Sequence, residues 1–68
     1  MSVYKVIEII GTSTTSWEEA ASSAVVTARE TLRDLRVAEV VKQDLDVGAD
    51  GSLTYRTKLS VSFKYEDS

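Results

Sequence analysis

The chain has no cysteine and no histidine among its 68 residues. Without cysteine there are no disulfide staples and no thiolate metal sites. Without histidine the commonest zinc ligand and the usual general base near neutral pH are missing. Ser–His and Cys–His nucleophile systems are thereby excluded. The three glycines, at positions 11, 48 and 51, are too dispersed for a P-loop or a G-x-G-x-x-G turn. No apolar run approaches the ~20 residues of a membrane span, and no signal peptide opens the chain. The expectation is a cytoplasmic protein with no membrane partner, which the lack of cysteine fits. Net charge is −3, and the lysines and arginines are scattered rather than gathered on one basic face, so nucleic acid is not an expected partner. Arg56, Lys58 and Lys64 share one strand face, and Arg29, Arg33 and Arg36 form a second loose group. Both read as solvated charges and salt bridges between subunits.

What is present fits one domain, residues 1–68. Val3–Ile10, VYKVIEII, is β-branched and apolar enough for a first strand, ended by Gly11, with GTSTTS as a loop of turn and cap residues. A helix follows in SWEEAASSAVVTARETLRDL. Its start signal is the capping box, in which Ser16 accepts from the Glu19 amide and Glu19 reaches back to Ser16. Glu18 and Glu19 also suit the positive end of the helix dipole. Trp17, Ala20, Ala21, Ala24, Ala28, Thr31, Leu32 and Leu35 recur at three- and four-residue spacing and predict one apolar stripe. Most of it is alanine, so the helix can approach its partner closely but buries little area. Arg36–Val47 reads as a second strand, GADGS as a hairpin turn around Asp50-Gly51, and Leu53–Tyr65 as the last strand. The order is β-α-β-β. Only the terminal EDS is expected to fray.

The last strand raises a problem of scale. Leu53, Tyr55, Thr57, Leu59, Val61, Phe63 and Tyr65 alternate with polar residues without a break, the pattern of a strand with one buried face. At ~3.3 Å per residue it spans about 43 Å. A compact chain of this length has a radius of gyration of about 11 Å and a diameter of about 28 Å. A chain so short also lacks core, and with disulfides excluded the remaining staple is association.

Catalysis is not expected. Asp44 and Asp46 share a strand face and Glu18 and Glu19 are adjacent, but acid–base work on a glycosidic bond needs carboxylates converging in a cleft. A single sheet around one helix offers little cleft. A metal is another matter. Calcium takes roughly six to eight oxygen ligands, and QDLD supplies Gln43, Asp44 and Asp46 within one segment. No EF-hand spacing is present. One chain cannot complete the shell, whereas a symmetric assembly can collect carboxylates from several chains.

Taken together, VYKVIEIIGTS, SWEEAA, ARETLRDL, AEVV and YRTKLSVSFKYED resemble a dodecin over essentially the whole chain. The resemblance implies an α+β fold, with a three-stranded antiparallel sheet wrapped partly around one helix. It also implies assembly of twelve copies into a hollow shell. The overlong strand then lies against neighbouring subunits. For function it implies ligand sequestration: flavin-binding dodecins hold flavins between symmetry-related subunits. Their hallmark is a tryptophan after the helix, in a segment like L-D-W-F-E-V, whose indole stacks on the isoalloxazine, together with a glutamine on the last strand.

This sequence departs at both places. Val37 occupies the tryptophan position with Arg36 before it, and Arg56 stands where the family has glutamine. Aromatic stacking is worth about 1–3 kcal/mol per ring, and a valine does not replace it. Trp17, at the helix start, reads as a packing anchor. The lack of tryptophan and the added acidic residues of RVAEVVKQDLDV are similar to the calcium-binding branch of the family. Two readings stay open. One is storage of a small anionic ligand near Arg36, Val37 and Arg56, with flavin (FMN or riboflavin) binding weak or absent or retained in modified form. The other is a calcium-binding or purely structural shell with Asp44 and Asp46 as metal ligands. The natural cofactor stays unknown in both.

Overall fold

The structure is a computed structural model that describes residues 2–65. Its elements are β1 (Tyr4–Ser13), α1 (Trp17–Arg29), β2 (Leu35–Val47) and β3 (Leu53–Lys64). β3 is the central strand of a three-stranded sheet in the order β1-β3-β2, antiparallel to both neighbours. One helix lies on one face of that sheet, chiefly over β1 and less over β3 and β2. The expected β-α-β-β architecture is present. The expectation about the terminal EDS lies outside the described residues.

The strands are long because nothing shortens them. β3 alternates without interruption, and Thr57, Leu59 and Val61 are buried on its helix side. Opposite them on β1 stand Gly11, Ile9 and Ile7. The molecule therefore takes the length of its strands, 51 × 20 × 16 Å with a radius of gyration of 14.0 Å. It is not the compact body whose diameter the last strand was expected to exceed. Its surface of 5066 Å² is also larger than the about 4,200 Å² of a compact protein of its 7.5 kDa mass.

Very little of the chain is core. Among the described residues the buried apolar side chains are Ala20, Leu59 and Val61. β2 has no buried residue at all. Its Val37, Val40, Val41, Leu45 and Val47 stand exposed, as do Val6 and Ile10 on β1. Burial of apolar area is the main stabilising term in folding, so a chain arranged this way leaves much of it for contact with other chains.

Two boundaries differ from the sequence reading by more than one residue. β1 runs through Gly11 to Ser13 instead of ending at the glycine, because Gly11 pairs with Thr57 inside the sheet. A Cβ at Gly11 would lie 2.0 Å from the Ala20 carbonyl oxygen and 2.8 Å from the Ala24 Cβ. The glycine therefore lets helix and strand touch. The helix ends at Arg29 with Glu30 as its cap, not at Leu35. Beyond it Thr31 and Leu32 still donate to the Ala28 carbonyl, and Asp34 then turns the chain with φ 56 into β2. Leu35 thus belongs to the sheet, opposite Phe63. Its three-residue spacing from Leu32 imitates a helical stripe that has already ended.

Candidate functional site

The acidic segment is placed by a bulge. Val40 pairs with Leu59 on the helix side, and the next pairing in register is Lys42 with Lys58, so Val41 is an extra residue. Because side chains alternate with period two, one added residue exchanges the faces of everything after it. Leu45 and Val47 therefore join the helix side opposite Tyr55 and Leu53, while Asp44 and Asp46 turn to the outer face opposite Arg56 and Thr54.

There Asp44 meets Arg56. The guanidinium Nε donates to Oδ1 at 2.7 Å and Nη2 donates to Oδ2 at 2.9 Å, a bidentate pair. The hydrogen bonds and charge of Arg56 hold the Asp44 carboxyl below the usual carboxylate range. In return the Asp44 hydrogen bonds and charge push the guanidinium further up, with a smaller contribution from Asp46. Lys58 similarly pairs with Glu8 across to β1 at 3.2 Å. The salt bridges expected between subunits at Arg56 and Lys58 are thus made within the chain.

The other side of the sheet fixes the same segment. Trp17 Nε1 donates to the Asp44 carbonyl at 3.0 Å, and its ring meets Tyr55 edge-on, with centroids 5.1 Å apart at 83°. Thr57 Oγ1 donates to the Trp17 carbonyl at 3.0 Å. The capping box is half formed: Ser16 Oγ accepts from the Glu19 amide at 3.0 Å. Glu19 does not return to Ser16; it accepts from Ser13 Oγ at 2.8 Å, and that hydroxyl in turn accepts from the Thr15 and Ser16 amides. Trp17 is the anchor that the sequence suggested. Its bond to the Asp44 carbonyl has no sequence signal, since 27 residues separate them.

Asp44 and Asp46 offer hard oxygens on a common outer face, the donor chemistry that calcium takes. Their number falls short of a complete shell. Among the described residues no three acidic side chains gather in one place, and both Asp44 oxygens are engaged by Arg56. The expected ligand-binding trio is likewise not assembled within one chain. Arg36 and Val37 border an open hollow of about 290 Å³ with Val25, Arg29, Leu35 and Ala38 at the start of β2. Val37 is opposite Ser62 and exposed, whereas Asp44 and Arg56 stand further along the same strands, about 20 Å away. No described helix is long and apolar enough to cross a membrane.

Comparison with known proteins places these features. A family model described as Dodecin matches residues 3–66. The chain is 62% identical over 64 residues to a protein of Mycobacterium tuberculosis named calcium dodecin, covering 94% of this chain and 90% of the relative. The crystal structure of a calcium-chelating antigen of that name from the same organism, described as having a novel calcium-binding site, superposes with a TM-score of 0.90 at 60% identity, covering 98% and 96% of the two chains. An arginine-to-alanine variant of the Thermus thermophilus dodecin also superposes with a TM-score of 0.90, at 37% identity over the whole of both chains. Matched by a family model over residues 3–66 and 62% identical to a relative over 94% of its length, this chain belongs to the dodecin family.

Proposed function

We propose that this protein is a non-enzymatic shell of twelve identical chains that binds calcium at carboxylates contributed by several subunits and has lost the flavin-stacking site. The observation that carries this reading is the outer face of β2. It has no buried residue, and the bulge at Val41 turns Asp44 and Asp46 outward on it. A strand exposed in this way has apolar side chains to bury against other chains, and symmetry repeats its carboxylates at each contact. The likeness to a calcium dodecin at 62% identity supports the choice of ion.

The chemistry at the other candidate positions agrees. Val37 offers no ring to stack on a flavin, and Arg56 is neutralised by Asp44, leaving Arg29 and Arg36 as the cations that line the hollow with Val37. The role is ion binding and storage in the cytoplasm. Asp44 and Asp46 are its proposed metal ligands, with Arg56 as the counter-ion that holds Asp44 until metal arrives.

Thermal unfolding under added calcium tests this. A ligand of the folded state stabilises it by RT ln(1 + [L]/Kd), so Tm is expected to rise with calcium concentration. Asp44→Asn combined with Asp46→Asn is expected to abolish the rise. An equal rise in the double variant removes the site from these residues. Sub-micromolar quenching of riboflavin fluorescence by the unmodified protein restores flavin storage.

A further inference from the structure

We propose that Arg29, Arg33 and Arg36 form a binding site for a small, multiply charged phosphate compound in the hollow beyond the end of α1, a site separate from the Asp44 carboxylates. Two open hollows with shared lining residues lie there. One of about 550 Å³ is lined by Arg29, Leu32, Arg33, Asp34 and Leu35. The other, of about 290 Å³, shares Arg29 and Leu35 and adds Arg36 and Val37. Ligand sites commonly have about 300–1,000 Å³, so hollows of this size suit a small molecule rather than a macromolecule.

The cations in it are unusually free for this chain. Four arginines occur in the sequence, and three of them lie between positions 29 and 36. The fourth, Arg56, is fully engaged by Asp44. Among the described residues Arg29 and Arg33 have no carboxylate within salt-bridge distance, and Arg36 touches Asp34 only at 3.9 Å. The neighbouring acids are Asp34, within the lining, and Glu30, next to Arg29. Placing three cations close together costs repulsion that one cation at the helix end does not require. Arg29, in the last turn, already serves the helix dipole.

Arginine is also the residue whose planar fork matches phosphate oxygens in pairs. The chain reverses between Arg33 and Arg36 through Asp34, held at φ 56. That left-handed conformation is uncommon outside glycine, and it is tolerated by aspartate. It brings the start of β2 back beside the end of α1, so that cations from both elements border one space. Leu32, Leu35 and Val37 add apolar surface beside the guanidinium groups. A phosphate that carries an organic body fits this mixture better than a bare ion does. The inference does not depend on the calcium reading.

Isothermal titration of the assembled protein with inorganic pyrophosphate, at low and at raised salt, tests it. Binding that weakens with salt is expected, and Arg33→Gln or Arg36→Gln is each expected to weaken it about tenfold, the value of one charge-assisted hydrogen bond. Lys42→Gln, on the outer face opposite Lys58, is expected to leave it unchanged. A second reading uses the unaltered chain, with arginines modified by phenylglyoxal and mapped by mass spectrometry. Pyrophosphate is expected to protect Arg29, Arg33 and Arg36 but not Arg56. Equal binding by all variants, protection spread evenly over the four arginines, or loss of the assembly in Arg33→Gln each overturns the proposal. The last outcome assigns these arginines to a contact between subunits.

Discussion

At the hairpin end of the molecule Trp17, Tyr55, Thr57, Asp44 and Arg56 interlock through ring contact, hydrogen bonds and a bidentate ion pair. The Ser13–Ser16–Glu19 network closes the start of the helix beside them. At the opposite end the chain leaves α1 through a turn whose side-chain contacts, among the described residues, are Thr31 on the Ala28 carbonyl and a loose 3.9 Å approach of Arg36 to Asp34. There β2 begins with a second register shift, between Leu35 and Val37. The charges are weighted in the same way: Glu18, Glu19, Asp44, Asp46 and Asp50 stand toward the hairpin end with Arg56 among them, and Arg29, Arg33 and Arg36 toward the other with Glu30 and Asp34 beside them. One end spends its polar groups on holding three strands and a helix in place. The other leaves them for whatever arrives from outside the chain.

If that division is real, substitutions at the hairpin end cost stability and those at the arginine end do not. Trp17→Ala is expected to have the largest effect, about 3 kcal/mol in urea unfolding at fixed protein concentration. That is the low end for removing a large aromatic, since the ring is half-buried. Gly11→Ala follows at about 1–3 kcal/mol, the range for overpacking, because its methyl would meet the Ala20 carbonyl at 2.0 Å. Arg33→Gln is expected to stay within about 0.5 kcal/mol, as exposed substitutions do. A large loss there erases the contrast between the ends.

Acid sharpens the comparison with the smallest effect. The Asp44 carboxyl titrates below its unfolded value because Arg56 holds it. Its contribution is therefore present above the unfolded pKa and is lost as pH falls through the lower, folded one, which is below about pH 4. Asp44→Asn is expected to flatten that part of the stability–pH curve by slightly lowering stability at neutral pH, where the pair contributes, and leaving stability in acid nearly unchanged. An unchanged acid limb shows that the pair is screened out in solution.

Much of this arrangement is legible in the residues alone. The unbroken alternation of Leu53–Tyr65 gives β3, and Ser16 with Glu19 marks the helix start. The alanine stripe gives a thin helix, although the glycine that receives it reads as a terminator until its neighbours are in place. What is not legible depends on pairing. Asp44 and Asp46 share a face in any strand, but which face is decided by the extra residue at Val41, and a run of VV carries no mark of a bulge. The end of the helix is hidden for a related reason. Leu32 and Leu35 satisfy helical spacing while the backbone has already turned at Asp34, without the glycine that usually signals a stop. Arg56 and Asp44 are each readable as ligand groups, and only the β2–β3 register shows that they meet each other.

Native mass spectrometry of the purified protein, equilibrated with calcium and then stripped by chelator, reads chain number and bound ligand in one experiment. The account predicts a single species near twelve times the 7.5 kDa chain mass, carrying calcium increments that chelation removes and no flavin. A stable monomer at micromolar concentration, or an assembly that keeps bound flavin and takes up no calcium, contradicts it.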